Sequence, residues 1–250
     1  MGINDFIIIL LLSQEIPYTQ NKRKRLSMKK IIAGIGGLGL IIFIHECGHL
    51  FFAKLYNVAA PIFSIGFGPT LASIPLGNTS FQIALFPFGG YVELNQESLA
   101  QQPYYIKVII MLGGIIFNIL FAYAIMGYFI LQKKKYNFKT TISRIIETTG
   151  QKQGIVGPIG IINLLGISFI NDPHLFWCMI ALISFNVGLF NLIPFPFFDG
   201  GKIALYTIEA LSQKTIPESS FLYFSILFFI ILLIFITLIS IQDIKKWYQK

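Results

Sequence analysis

The sequence predicts an all-α polytopic membrane protein, with about four transmembrane helices and a small membrane-dipping β-hairpin or sheet between the first two. Three observations carry that prediction. The 250-residue chain is 55% hydrophobic and only 12% charged. Four of its segments are long and apolar enough to supply the roughly 20 helical residues that cross a hydrocarbon core of about 30 Å. Between the first two of these segments the composition changes to glycine, proline and β-forming residues. Cys47 and Cys178 both lie in apolar segments, so no disulfide framework is expected. A net charge of +8 raises nucleic acid as a partner, but the basic residues cluster beside the apolar spans. That pattern points to anionic lipid headgroups of the bilayer, and no nucleic-acid partner is expected.

The first thirty residues stand apart. The apolar run Phe6 to Leu12 is too short to span and precedes the basic cluster Lys22-Arg23-Lys24-Arg25, the reverse of the order in a secretory signal peptide. Residues 1 to 30 are therefore expected to be an extension outside the functional domain, with Met28-Lys29-Lys30 as a sensible start. Residues 31 to 250 are expected to form a single domain. Its spans are expected at residues 31 to 53, 106 to 131, 175 to 193 and 221 to 241. The apolar stretch from 155 to 170 is shorter and contains Gly157-Pro158-Ile159-Gly160, so it reads as a re-entrant or interfacial segment. From 57 to 103, Phe63-Ser64-Ile65-Gly66-Phe67-Gly68-Pro69 and Phe81-Gln82-Ile83-Ala84-Leu85-Phe86-Pro87-Phe88-Gly89-Gly90-Tyr91 read as short strands broken by glycine turns. Non-helical backbone at membrane depth survives only where protein or a water-filled cavity satisfies it, so one reading is a sheet lining a cavity. An ordinary surface hairpin is the other.

The first span carries His45-Glu46-Cys47-Gly48-His49 near its C-terminal end. Residues four apart share a helix face, so His45 and His49 can both reach one Zn²⁺, while Glu46 sits beside them to handle the water a metal would activate. Ionisable groups in so apolar a segment are expensive without partners, which argues against a mere pair of core histidines. Two histidines leave a tetrahedral zinc short of a third protein ligand. His174 and Asp172 lie in an expected loop, Asp243 lies among terminal lysines, and Glu209 is a further downstream carboxylate. Asp199 stands alone after an apolar segment broken by Pro194 and Pro196, and an isolated membrane carboxylate is a functional candidate by default.

Taken together, His45-Glu46-Cys47-Gly48-His49 and Asn191-x-x-Pro194-x-Pro196-x-x-Asp199-Gly200-Gly201 resemble the paired signatures of the site-2 protease family of intramembrane zinc metalloproteases. More closely, the chain is similar to bacterial regulator-of-sigma-E proteases. Phe86-Pro87-Phe88-Gly89-Gly90-Tyr91-Val92, Gly157-Pro158-Ile159-Gly160-Ile161 and Gln242-Asp243-Ile244-Lys245-Lys246 fit the same group, so the resemblance covers nearly everything after Met28. It implies one zinc per chain held by His45, His49 and Asp199, Glu46 as catalytic base, and Asn191 holding the substrate or its oxyanion. It also implies a multi-pass protein of the cell (inner) membrane whose substrates are transmembrane proteins or signal peptides. Two departures stand out. Only residues 132 to 154 separate the second and third spans, too few for the PDZ domains of close relatives, and Gly113-Gly114 replaces the usual Gly-Pro ahead of Asn118, which weakens the case for that residue. Orientation is contested as well. Fifteen of the nineteen Lys and Arg residues fall on one side of a four-span arrangement, which the positive-inside rule assigns to the cytoplasm, whereas the resemblance implies the opposite.

A transmembrane substrate hides its carbonyls in its own helix and must be unwound before attack. The glycine-rich strands around Gly66, Gly68, Gly89 and Gly90 are expected to bind the unwound segment by strand addition. Two other classes carry such a motif: a zinc transporter, which would need more spans and a polar path, and a catalytically inactive homologue, which would not need Glu46.

Overall fold

The computed structural model describes residues 28–131, 158–196, 198–214 and 216, together with 223, 226–228, 230–231, 233–234, 237–238 and 241. In chain order the elements are α1 (Met28–Leu55), β1 (Ile62–Leu76), β2 (Thr79–Glu93), α2 (Gln96–Ala100), α3 (Tyr104–Leu131), α4 (Pro158–Asn171), α5 (Pro173–Phe190) and α6 (Asp199–Ser212). Among the described residues α1, α3 and α5 are long and apolar enough to cross a membrane. At 1.5 Å per residue, the 28 residues of α1 and of α3 reach about 42 Å and the 18 of α5 about 27 Å. The 14 residues of α4 reach only about 21 Å, in keeping with the short segment expected there. About half of the expected fourth span, the N-terminal extension up to residue 27 and the 132–154 connection lie outside the described residues. The third expected span, α5, stops at Phe190, not residue 193, because Pro194 and Pro196 supply no N–H for another turn.

α1 ends where Asn57 takes a left-handed conformation (φ 57°) and the Val58 N–H closes back on the Ala53 carbonyl at 2.8 Å. The chain then enters the sheet. β1 and β2 pair antiparallel as a hairpin that reverses at Gly77 and Asn78, with Leu76 opposite Thr79 and Ile74 opposite Phe81. This corrects the expectation of short strands broken by glycine turns. Gly66 (φ 96°) and Gly68 (φ 86°) bend β1 without ending it, since a left-handed residue shifts the register while its neighbours continue the ladder. As a result the first half of β1 is flanked on both sides: Ser64 lies opposite Gln82 on one edge and Tyr91 on the other. Phe63 and Ser64 are buried there, while Leu71, Ile74 and Leu76 at the far end of the hairpin are exposed.

By its contacts the chain divides into two compact units. Among the described residues, one is drawn from Met1–Ile35, Met126–Met179 and Phe235–Lys250, the other from Gly36–Ile125 and Ile180–Ile234. In the first, Asp172 caps α5 by accepting the backbone N–H groups of His174 at 2.9 Å and Leu175 at 3.4 Å, and Phe169 packs edge-on against Phe176. In the second, Ala53, Val58, Leu99, Ile106, Ile110 and Met111 form a buried apolar cluster that joins the end of α1 to the start of α3. Just beyond it the two helices meet backbone to backbone: a Cβ added at Gly48 would run into the Gly113 carbonyl, and one at Gly113 into the Gly48 carbonyl at 2.5 Å. The cluster and the glycine pair fix α1 against α3 at the level of the two histidines.

Candidate metal centre

All the site residues described here belong to the second unit. On α1 the residues Ile41, His45, His49 and Ala53 follow one another at intervals of four and are all buried. On α3 the matching stripe is Ile110, Gly114, Asn118 and Ala122, also buried. His49 meets Ile110 and His45 meets Asn118, so the two helices run in opposite directions. α5 adds Ser184 at the level of Asn118.

Asp199 reaches the same point by a sharp reversal after α5. The Gly200 N–H donates to the Asn191 carbonyl at 2.7 Å and the Gly201 N–H to that of Phe198 at 3.0 Å, folding the start of α6 against the preceding loop. A Cβ at Gly200 or Gly201 would collide with the carbonyls of Leu192 or Phe195, so two glycines after Asp199 are what the close return demands. Asp199 thereby occupies the first turn of α6, where the unpaired amides of a helix N-terminus favour an anion.

The three side chains converge. His45 Nε2 and His49 Nε2 lie 3.0 and 3.2 Å from Asp199 Oδ2, and 3.2 Å from each other. Ligands held at 2.0–2.1 Å in a zinc tetrahedron are separated by about 3.3 Å, so the triangle has the size that zinc requires. Its hydrogen bonding leads the same way. His49 Nδ1 lies 2.8 Å from the Ile110 carbonyl, which only accepts, so Nδ1 carries the hydrogen and the neutral ring turns a lone pair at Nε2 inward. Asp199 Oδ2 is buried and receives no hydrogen bond of proper geometry. A buried carboxylate with two imidazole nitrogens facing it forms a cage for a cation, and the His–His–carboxylate donor set suits zinc.

Gly114 lines that cage. A Cβ there would sit 2.6 Å from His45 Cε1, 2.6 Å from His49 Nε2 and 2.7 Å from His45 Nε2. Neither ring can yield freely, because Ile110 holds one and Asn118 the other. Gly114→Ala is expected to weaken zinc binding on the order of 10- to 100-fold, measured by chelator competition, with little change in helicity. Wild-type affinity in that variant would mean that the rings have more room than the geometry gives them.

Glu46 is buried beside the triangle and against the sheet. A Cβ at Gly90 would lie 3.1 Å from Glu46 Cγ and 2.8 Å from both Ile42 Cγ2 and the Ser64 carbonyl, so the missing side chain lets β2 close over Glu46. Gly89 makes room for an aromatic ring instead, since a Cβ there would enter the ring of Phe67, which stacks on Tyr91 at 6.3 Å and 5°. Gly66 and Gly68 serve the bend in β1. The Asn191 side chain donates to the Val187 carbonyl at 2.9 Å, within its own helix end, and its backbone carbonyl anchors α6. Of the residues picked from sequence, the structure thus gathers His45, Glu46, His49, Asp199 and Gly90 in one place. His174 and Asp172 belong to the other unit, and Glu209 accepts the Ile216 N–H at 2.9 Å. Sequence reasoning misses Gly114 and discounts Asn118. The available signal is their spacing of four on an apolar helix, in register with the histidine stripe.

The sequence profile of peptidase family M50 matches residues 33–235. A protein from Helicobacter pylori whose name places it among the zinc metalloproteases is 39% identical over 107 residues, 38% of this chain and 30% of its own length. A chloroplastic membrane metalloprotease of Arabidopsis thaliana is 33% identical over 111 residues, 40% of this chain and 25% of its own. The chain thus spans less than a third of the length of these curated relatives.

Proposed function

The chain belongs to peptidase family M50, and on that premise we propose that it is a zinc-dependent intramembrane endopeptidase that cleaves the transmembrane segments of membrane-tethered proteins or signal peptides. The observation that carries this reading is the triangle of His45 Nε2, His49 Nε2 and Asp199 Oδ2, drawn from two distant motifs, with Glu46 buried alongside. His45, His49 and Asp199 would hold the metal. Zinc bound there would supply Lewis acidity, polarising a peptide carbonyl and acidifying water to a pKa of about 7.

The chain's own groups do the rest. Glu46 takes the proton of the attacking water and returns it to the leaving amine, general base and then general acid in one turnover. The substrate helix must first be opened, because its carbonyls are engaged in i to i−4 hydrogen bonds. Residues 90 to 93 pair with β1 along one edge and begin at Gly90, against Glu46. An extended substrate segment added along the other edge would bring its carbonyls past the metal cage. In this reading Gly90 provides the close approach, Gly66, Gly68 and Gly89 shape the strands, and Asn191 holds the substrate or its oxyanion once its side chain turns from Val187.

The test is cleavage of single-span model substrates by the full chain in detergent or liposomes. Cut sites inside the span, activity lost to a zinc chelator and activity restored by added zinc are expected. No cleavage across a varied set of spans, or cleavage indifferent to chelation, would sink the assignment.

A further inference from the structure

A buried, hydrogen-bonded pair outside the triangle decides how His45 presents itself. Asn118 and Ser184 are both 0% exposed, so each polar group they carry must find a partner inside the protein. Asn118 Nδ2 is placed 3.1 Å from His45 Nδ1, and the Ser184 hydroxyl lies 3.1 Å from the Asn118 backbone carbonyl and 3.3 Å from Asn118 Oδ1. In that orientation one hydroxyl hydrogen faces two acceptors, and the amide donates to Nδ1, which forces the hydrogen of a neutral His45 onto Nε2, inside the metal cage. The oxygen and nitrogen of a carboxamide are interchangeable in position, and the network itself determines which arrangement holds.

Turning the amide over also leaves each group a partner and takes the hydrogen of His45 out of the cage. Oδ1 then accepts the hydrogen of His45 Nδ1, Nδ2 donates to Ser184 Oγ, and the Ser184 hydroxyl gives its single hydrogen to the Asn118 carbonyl. His45 then matches His49, each with Nδ1–H bound outward and an Nε2 lone pair directed at Asp199 Oδ2. We propose that Asn118, locked by Ser184, is a positioning residue that fixes the His45 tautomer and so keeps Nε2 free for the metal. The proposal rests on the metal-binding reading of the triangle. It extends that reading from the two ligand-bearing motifs to α3 and α5.

The experiment is the zinc dissociation constant of the detergent-solubilised full chain by chelator competition. Asn118→Asp keeps an acceptor facing Nδ1 and should bind zinc near wild-type strength, whereas Asn118→Leu keeps the bulk without the acceptor and should bind roughly 10- to 100-fold more weakly. A residue that merely filled space would show the reverse, tolerating leucine and suffering from a buried charge. Aspartate binding no better than leucine, or leucine at wild-type affinity, would overturn the proposal. Ser184→Ala and Ser184→Thr form a second pair that leaves Asn118 intact: alanine should weaken binding and threonine restore it, and wild-type affinity in the alanine variant would remove Ser184 from the lock. In ¹⁵N spectra the hydrogen of His45 should reside on Nδ1 in the wild type. Wild-type protein that binds no zinc would bring down the metalloprotease reading along with this one, whereas zinc in the wild type and a flat variant series would overturn only the role of Asn118.

Discussion

The Glu46→Gln protein is expected to hold about one zinc per chain, like the wild type, and to cleave a single-span substrate at least 10²- to 10⁴-fold more slowly, the range attributed to a positioned acid–base group. The separation of the two effects follows from the geometry. The donor triangle consists of His45, His49 and Asp199, with Glu46 outside it. Glutamine has nearly the same shape and keeps the packing against Gly90, but its amide cannot take a proton from water. Metal analysis and a cleavage time course on one preparation distinguish the outcomes. Residual activity near wild type would take the base role away from Glu46, and loss of zinc would place Glu46 among the groups that hold the metal.

Asp199→Ala is expected to lose zinc, with affinity falling by more than about 100-fold, since removing a ligand costs more than removing one of its supporting partners. The local fold should survive. The start of α6 is held by the Gly200 N–H on the Asn191 carbonyl and the Gly201 N–H on the Phe198 carbonyl, neither of which involves the carboxylate. Helicity and thermal unfolding in detergent should therefore stay close to wild type while zinc content drops and cleavage disappears. Zinc content equal to wild type would show that the two motifs do not share one metal. Collapse of the fold would give the carboxylate a structural part that its hydrogen bonding does not suggest, and Asp199→Asn, which keeps the shape, would then carry the metal measurement.

The parts of this protein legible in its sequence are those whose signal is local. A spanning helix announces itself by composition, and α1, α3 and α5 fall within a few residues of expectation. Less is legible between the first two spans. Gly66 and Gly68 read as strand terminators, but a positive φ can equally bend a strand whose pairing continues on a new register, and only the partner strand decides between the two. Asn118 is discounted on sequence because a neighbouring residue departs from a family pattern. Its hydrogen bonds to His45 and Ser184 come from two other helices, so the spacing within α3 marks the residue but not its partners.

The sequence by itself determined the membrane setting, the histidine pair and the carboxylate beside it, and it nominated Asp199, because composition and a period of four are properties of a single segment. Only the tertiary structure decided that Asp199 Oδ2 closes a triangle of about zinc-ligand size, that Gly114 leaves room for it, and that Ile110 and Asn118 hold the two rings. The physical reason is that metal geometry is set to tenths of an ångström by contacts between segments far apart in the chain. Such contacts depend on how backbones approach one another, at Gly48 against Gly113 and at Gly200 against Leu192, and no periodicity along one segment encodes that approach.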